Sequence, residues 1–188
     1  MWKLVRISLA ILIAAAWAWP PRAGAATPYK RSVHAYEVPD VTLVDQDGRE
    51  VRLLELIGEG RPVLVDFIYA TCTTICPVLS AGFANFQKKM GEDCPTLISI
   101  TIDPEHDTPE EMTAYLRRYG AKPGWFFLTG SRPDIDRVMK AFQAYVPNKM
   151  SHLPVTFLRV PATGEWVRID GLVSTSVLLK EYRKVMGR

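Results

Sequence analysis

One stretch constrains this chain more than any other, because an apolar strand pattern runs directly into two cysteines and a helical pattern. Residues 63–69 form an apolar, β-branched run of the kind found in a buried central strand. Cys72 and Cys76 follow, and Pro77 begins a segment whose apolar residues recur at helical spacing. Proline suits the first helical turn, where its missing N–H needs no partner. The sequence therefore predicts two thiols at a strand-to-helix junction.

The spacing of the two cysteines allows several kinds of chemistry. A helix N-terminus favours thiolate over thiol. Residues four apart in a helical turn have Cβ atoms about 5–6 Å apart, so Cys72 and Cys76 could close a disulfide or hold one soft metal ion between them. They could also be a structural disulfide or two buried free thiols. A stabilising disulfide gains most from closing a long loop, and this loop is short, which favours a chemical role.

Strand and helix patterns alternate along the rest of the chain. Asp47-Gly48 predicts the turn of a β-hairpin before the central strand. Thr108, Pro109 and Glu111 predict a full capping box at the start of a helix. Further strands are predicted at 96–102, 125–128, 153–160 and 165–169, and further helices after Ser131 and Ser174. This order predicts an α/β sandwich, and cysteines after the first core strand match a thioredoxin-like fold with an added N-terminal β-hairpin.

The first 26 residues have the pattern of an export signal. Lys3 and Arg6 form a positive n-region, residues 7–19 are apolar, and small residues precede a cleavage site before Ala26 or before Thr27. The alternative is an uncleaved N-terminal anchor, which would be the chain's only contact with a membrane. Either way we expect a periplasmic domain, where cysteine pairs can be oxidised. Residues 27–39 are interpreted as a linker or extended arm, and residues 40–188 as the main domain.

Composition excludes some classes of protein. Hydrophobic residues make up 48% of the chain, which supports a core, and three cysteines are too few for a disulfide scaffold. The formal net charge is +3, but residues 1–26 carry three positive charges and no acid, so the remainder has no net charge. A neutral domain gives no reason to expect nucleic-acid binding. Cys94 is the odd thiol, and we expect it to be buried or unpaired.

Three motifs resemble the Sco/SenC family, whose members are thioredoxin-fold proteins that bind copper and assist assembly of the copper site of cytochrome c oxidase. Cys72-Thr73-Thr74-Ile75-Cys76-Pro77 resembles the family's Cys-x-x-x-Cys-Pro motif. Residues 103–109 resemble its Asp-Pro-x-Arg-Asp-Thr-Pro loop, with His106 in place of the usual arginine. Ser151-His152 resembles the position of the family's copper-binding histidine, and the resemblance runs from about residue 38 to residue 186.

The resemblance implies that Cys72, Cys76 and His152 bind copper. Two thiolates suit Cu(I), and an imidazole also serves Cu(II). Family members usually carry an acidic residue between the cysteines, whereas the three residues here are neutral. Pro154 resembles the cis-proline of thioredoxins, and the thioether of Met150 could approach a copper ion. Neither His106 nor His34 is assigned to the metal.

The main hypothesis is a copper chaperone that delivers copper to, or prepares the thiols of, a respiratory copper enzyme such as cytochrome c oxidase. Its partners would be a copper-receiving oxidase subunit or related cuproprotein, and a thiol–disulfide reductant. The alternative is an enzyme, a thiol–disulfide oxidoreductase that uses Cys72 and Cys76 as its catalytic redox pair without copper or His152. A peroxidase would need an activated single cysteine with a nearby arginine, a pattern that the sequence around Cys72 lacks.

Overall fold

A computed structural model of the chain describes residues 29–58 and 60–187. The predicted export signal and its cleavage site lie outside these residues. Among the residues described, none of the helices has the length and apolar character needed to span a membrane.

Eight strands and five α-helices follow one another within the described residues. The order is β1 (Lys30–His34), β2 (Thr42–Val44), β3 (Glu50–Arg52), α1 (Leu53–Gly58), β4 (Val63–Ile68), α2 (Cys76–Met90), β5 (Thr96–Thr101), α3 (Pro109–Arg118), β6 (Trp125–Leu128), α4 (Arg132–Ala141), β7 (Val155–Arg159), β8 (Trp166–Asp170) and α5 (Thr175–Val185). Short 3₁₀ turns cover Gly91–Asp93 and Lys149–Ser151. The predicted alternation of strands and helices is confirmed.

The main sheet has six strands in the order β1-β8-β7-β4-β5-β6, and the predicted hairpin forms a separate pair, β2 and β3. β4 lies inside the sheet, parallel to β5 and antiparallel to β7. All six of its residues are buried, which explains why its sequence is a continuous apolar run rather than an alternation. The cysteine loop therefore begins at the carboxyl end of an inner strand of the sheet.

Helices cover both faces of this sheet. On one face, the ring of Phe67 in β4 packs against Phe142 at the end of α4, with ring centroids 5.8 Å apart. On the other face, Trp125 of β6 contacts Phe83 of α2 at 5.8 Å. Successive residues of a strand face opposite sides, and the strand register places Trp125 on the face opposite Phe67. The cysteine helix α2 thus packs on the face of the sheet opposite Phe67.

The segment predicted to be a linker or extended arm contains an edge strand. Residues 30–34 pair antiparallel with β8, and none of them is fully buried. Arg31 and Tyr29 both bond the Glu181 carboxylate of α5, at 2.7 and 2.9 Å. An edge strand held by backbone pairing and polar contacts needs no alternation of apolar residues, so its sequence pattern resembles that of a linker.

The predicted helix caps are present, with one correction. Ser131 and Ser174 each accept the backbone N–H of the residue three positions later, at 3.2 and 3.4 Å. Thr108 likewise accepts the Glu111 N–H at 3.4 Å, but its own N–H donates to the carbonyl of His106 at 3.0 Å. The full capping box was wrong in its reciprocal half, because the turn before the helix already satisfies that N–H group.

Candidate metal and thiol site

The two site cysteines lie where the strand-to-helix pattern predicts them. Cys72 is in the loop after β4, and Cys76 is the first residue of α2. Both residues are buried, with 5% and 0% of their surface exposed. The backbone N–H of Cys76 points at the sulfur of Cys72, 3.5 Å away. The first N–H group of the helix is thus directed at the first thiol.

The two thiols differ in acidity. Burial alone would raise the pKa of Cys72, but hydrogen bonds from the Cys76 thiol, the Cys76 N–H and Thr74 together lower it to about 7. Burial raises the pKa of Cys76 well above its ordinary value, and the neighbouring Cys72 adds to that increase. The expected preference for thiolate therefore holds for Cys72 alone, and Cys76 keeps its proton at neutral pH in the metal-free protein.

His152 faces the cysteines from the opposite side of the site. It follows the 3₁₀ turn Lys149–Ser151, and its Nε2 lies 3.3 Å from the Cys76 sulfur. Its Nδ1 lies 2.8 Å from the Lys149 carbonyl oxygen, which can only accept, so Nδ1 carries the proton and Nε2 keeps its lone pair. Burial lowers the pKa of His152 below its ordinary value, which keeps the ring neutral at pH 7.

Together these side chains form a group that could hold a metal ion. One ligand atom from each of Cys72, Cys76 and His152 lies within 4.8 Å of the others. Two sulfurs and one imidazole nitrogen are donors that suit copper and zinc, and the neutral imidazole is in its metal-binding form. The donor set therefore fits a soft or borderline metal ion, and the same sulfur pair fits thiol–disulfide exchange.

The other singled-out residues lie outside this group. Cys94 precedes β5 at the opposite edge of the sheet, and burial raises its pKa to about 11. His106 is exposed and bonds Asp103 at 3.0 Å. Met150 is 72% exposed, and its sulfur accepts the Tyr69 hydroxyl at 3.5 Å. Every described peptide bond is trans, so the resemblance of Pro154 to a cis-proline does not extend to the isomer.

Two residues near the thiols were not singled out from the sequence. Thr74 places its hydroxyl 3.6 Å from the Cys72 sulfur and helps to lower the pKa of that thiol. Asp66 of β4 is fully buried, and burial raises its pKa to about 7 although the side chain of Ser99 lowers it in part. A lone acid within an apolar strand was the signal that could have identified Asp66.

The fold and the site define a class of protein: thioredoxin-like α/β proteins with a buried Cys-x-x-x-Cys pair facing a histidine. The family model described as SCO1/SenC matches residues 30–186. The chain therefore belongs to the SCO1/SenC family, which confirms the resemblance drawn from its motifs.

Individual relatives agree with this assignment. The SCO1 protein homolog of Bacillus subtilis is 39% identical over 116 residues, which cover 59% of each chain. A solved structure of BsSco, described as a member of the Sco family of cytochrome c oxidase assembly proteins with a disulfide switch, is 30% identical with a TM-score of 0.67. That match covers 80% of this chain and 94% of BsSco, and confirms the thioredoxin-like fold.

A second solved structure holds copper. ScoI of Bradyrhizobium japonicum, with copper bound, is 29% identical to this chain with a TM-score of 0.61. The match covers 75% of this chain and 96% of that structure. The chain spans 55% to 65% of the length of the first curated relatives it matches.

Proposed function

We propose that this protein is a periplasmic copper carrier that delivers copper to, or prepares the thiols of, a respiratory copper enzyme such as cytochrome c oxidase. The observation that carries the proposal is the convergence of Cys72, Cys76 and His152 within 4.8 Å. Membership of the SCO1/SenC family and the copper-bound ScoI structure support copper over other soft metals.

Each side chain has a distinct part in holding the ion. Cys72 is ready as a thiolate near neutral pH, so it is the first sulfur to bind. Cys76 must lose its proton on binding, and copper's charge favours that loss. His152 supplies a neutral nitrogen whose direction is set by the Lys149 carbonyl. Two sulfurs alone suit Cu(I), whereas the added imidazole makes the same site serve Cu(II).

The sulfur pair also provides a way to release the ion. The Cys72 thiolate attacks a partner's disulfide to form a mixed disulfide, and the first partner thiolate leaves. The Cys76 thiolate, already deprotonated by copper binding, then attacks the Cys72 sulfur and displaces the second partner thiolate, and both partner thiolates take up protons from water. The pair becomes a disulfide, the partner's disulfide becomes two thiols, and the copper loses both sulfur ligands. A dithiol reductant restores the pair by the reverse exchange.

A second candidate is supported by the acidity of the thiols. A low pKa at Cys72 and a high one at Cys76 is the arrangement expected of a nucleophile and a buried resolving thiol. The protein would then be a thiol–disulfide oxidoreductase that maintains another protein's cysteines without carrying copper.

Copper titration of the reduced protein separates the two candidates. We expect one copper per chain, followed by absorption and by mass, with binding lost in Cys72→Ser and Cys76→Ser. His152→Ala should bind Cu(II) more weakly and should still exchange disulfides, because its sulfur pair is intact. A reduced wild-type protein that forms no stable copper complex but exchanges disulfides readily would replace the copper proposal with the oxidoreductase.

A further inference from the structure

The loop between β5 and α3 contacts both the start of the cysteine loop, at Ala70, and the turn that carries His152, at Lys149. The function proposed above gives this loop no role. We propose that Asp103 and Asp107 of this loop act as a clamp that sets the position of His152 relative to the cysteines. The two carboxylates are positioning residues, since neither belongs to the group that could hold the metal. The consequence for copper rests on the proposed function, whereas the clamp itself can be tested in the metal-free protein.

Asp107 holds the cysteine side of the clamp. Its carboxylate accepts the backbone N–H of Ala70, two residues before Cys72, with both oxygens 3.2 Å away. One of these oxygens also accepts the hydroxyl of Thr101 at 2.5 Å. Asp107 is 1% exposed, so water competes little for these bonds. The start of the cysteine loop is thereby joined to the end of β5.

Asp103 holds the histidine side of the clamp. Its carboxylate accepts the ammonium of Lys149 at 2.5 Å, and the ammonium also lies 5.3 Å from the centre of the Tyr69 ring. The carbonyl of the same lysine accepts Nδ1–H of His152. Lys149 therefore connects the loop to the imidazole through its side chain on one side and its backbone on the other.

The hydroxyl of Thr101 joins the two sides. It donates to Asp107 and accepts the backbone N–H of Asp103, at 2.5 and 2.9 Å. The path from Ala70 through Asp107, Thr101, Asp103 and Lys149 to the imidazole consists only of hydrogen bonds, one ion pair and short backbone links. A shift at either carboxylate should therefore change the separation between thiol and imidazole.

The histidine side is the more easily broken of the two. The side chain of Lys149 is 35% exposed, and the turn that it anchors has only three residues. Without the ion pair, the turn keeps the Asn148 cap on the Met150 N–H and the Tyr69 contact with Met150, but the Lys149 side chain is released. The Lys149 carbonyl is then less firmly held, and the preference for one imidazole tautomer should weaken. Loss of a residue that orients a ligand in this way commonly lowers metal affinity by about 10- to 100-fold.

Nitrogen NMR of the His152 ring in the metal-free protein tests the clamp directly. The wild-type protein should show the tautomer protonated at Nδ1. Lys149→Met and Asp103→Asn should show a mixture of tautomers, and Lys149→Arg, which keeps a cation, should restore most of the wild-type spectrum. Glu105→Gln is the matched control, because Glu105 lies on the same loop but pairs with Arg132 of α4 rather than with the histidine turn.

Copper binding then tests the consequence. Cu(II) affinity should fall about 10- to 100-fold in Lys149→Met, with altered nitrogen couplings in the electron paramagnetic resonance spectrum, and should not change in Glu105→Gln. A wild-type tautomer pattern in both Lys149→Met and Asp103→Asn would overturn the clamp, whatever the protein does with copper. Failure of the wild-type protein to bind copper would overturn the proposed function instead, and the tautomer result would still decide the clamp.

Discussion

The two cysteines of the site, here called its sulfur half, and His152, its imidazole half, are held in place in different ways. Cys72 and Cys76 are buried between the innermost part of the sheet and its longest helix. His152 instead follows a three-residue turn, and its neighbours Met150 and Leu153 are 72% and 74% exposed. The same ligand group thus combines one half that belongs to the core with one half that polar contacts hold at the surface.

This difference shows which property of the site each part of the protein controls. The core fixes the relation between the two sulfurs, so disulfide chemistry and Cu(I) binding should change only when a group that bonds a thiol directly is replaced or the fold itself is damaged. The imidazole depends on a few hydrogen bonds, one ion pair and a T-shaped contact with the Tyr69 ring, so the nitrogen ligand should respond to small changes near the surface. We therefore expect Cu(II) binding to be the more adjustable property.

The largest effect should come from breaking the packing of the sulfur half. Phe83 of α2 is 1% exposed and packs on Trp125, so Phe83→Ala should lower the free energy of unfolding by about 3–5 kcal/mol. Denaturant unfolding of the reduced protein measures this loss. Val78→Ala on the same helix is the control, because Val78 is 47% exposed and should change stability little. Equal effects of the two variants would show that α2 is not a core helix.

A smaller loss should follow from loosening the cysteine loop. Asp107→Asn replaces one of two accepting carboxylate oxygens with an amide nitrogen that can only donate. Whichever way the amide turns, a buried N–H or O–H donor of Ala70 or Thr101 loses an acceptor and faces another donor. We expect a loss of about 1–3 kcal/mol in the free energy of unfolding. Asp136→Asn on the surface of α4 should change stability far less, since its carboxylate makes a 3.5 Å contact with Arg132. Unchanged stability in Asp107→Asn would mean that the loop does not depend on this carboxylate.

The sequence predicted most of the sulfur half and less of the imidazole half, for a physical reason. Burial imposes a recognisable apolar pattern on a sequence, so β4 and the helix after Cys76 were predicted from local residues. The serine caps were also predicted locally, because each serine bonds a backbone N–H only three residues away. Strand β1 and the clamp leave no such pattern, because they are held by backbone pairing and by polar contacts between residues distant in the chain. His152 was identified only because it resembles a family position, since a histidine in a loop has no local signature.

The unequal acidity of the two thiols shows the same limit. A helix N-terminus predicted a stabilised thiolate, but only the fold determines that the Cys76 N–H points at Cys72 and that Cys76 itself is completely buried. Desolvation is a property of the tertiary structure, so the sequence predicts that a pKa changes near a helix terminus without predicting in which direction for each residue.

The different pKa values of Cys72 and Cys76 predict how the alkylation rate of each thiol changes with pH. With its pKa lowered to about 7, Cys72 should alkylate about tenfold faster for each pH unit up to that point and then level off, because the thiolate is the reacting form. Cys76, whose pKa burial raises, should react slowly throughout. Mass mapping after timed alkylation distinguishes the two sites. Thr74→Val removes one hydrogen bond to Cys72 and should move the midpoint upwards; a wild-type midpoint near 9 would contradict the prediction.

The smallest effect should come from the exposed edge of the imidazole half. Leu153 follows His152 directly and is 74% exposed, so Leu153→Ser should change the free energy of unfolding by less than about 0.5 kcal/mol. Copper affinity should not change either, because the ring of His152 contacts the Lys149 carbonyl and the Tyr69 ring, and the exposed Leu153 side chain should add little to its position. Denaturant unfolding and Cu(II) titration of the variant measure both quantities. A tenfold loss of Cu(II) affinity at wild-type stability would mean that packing of Leu153 also positions the ring, and the imidazole half would then depend on apolar contacts as the sulfur half does.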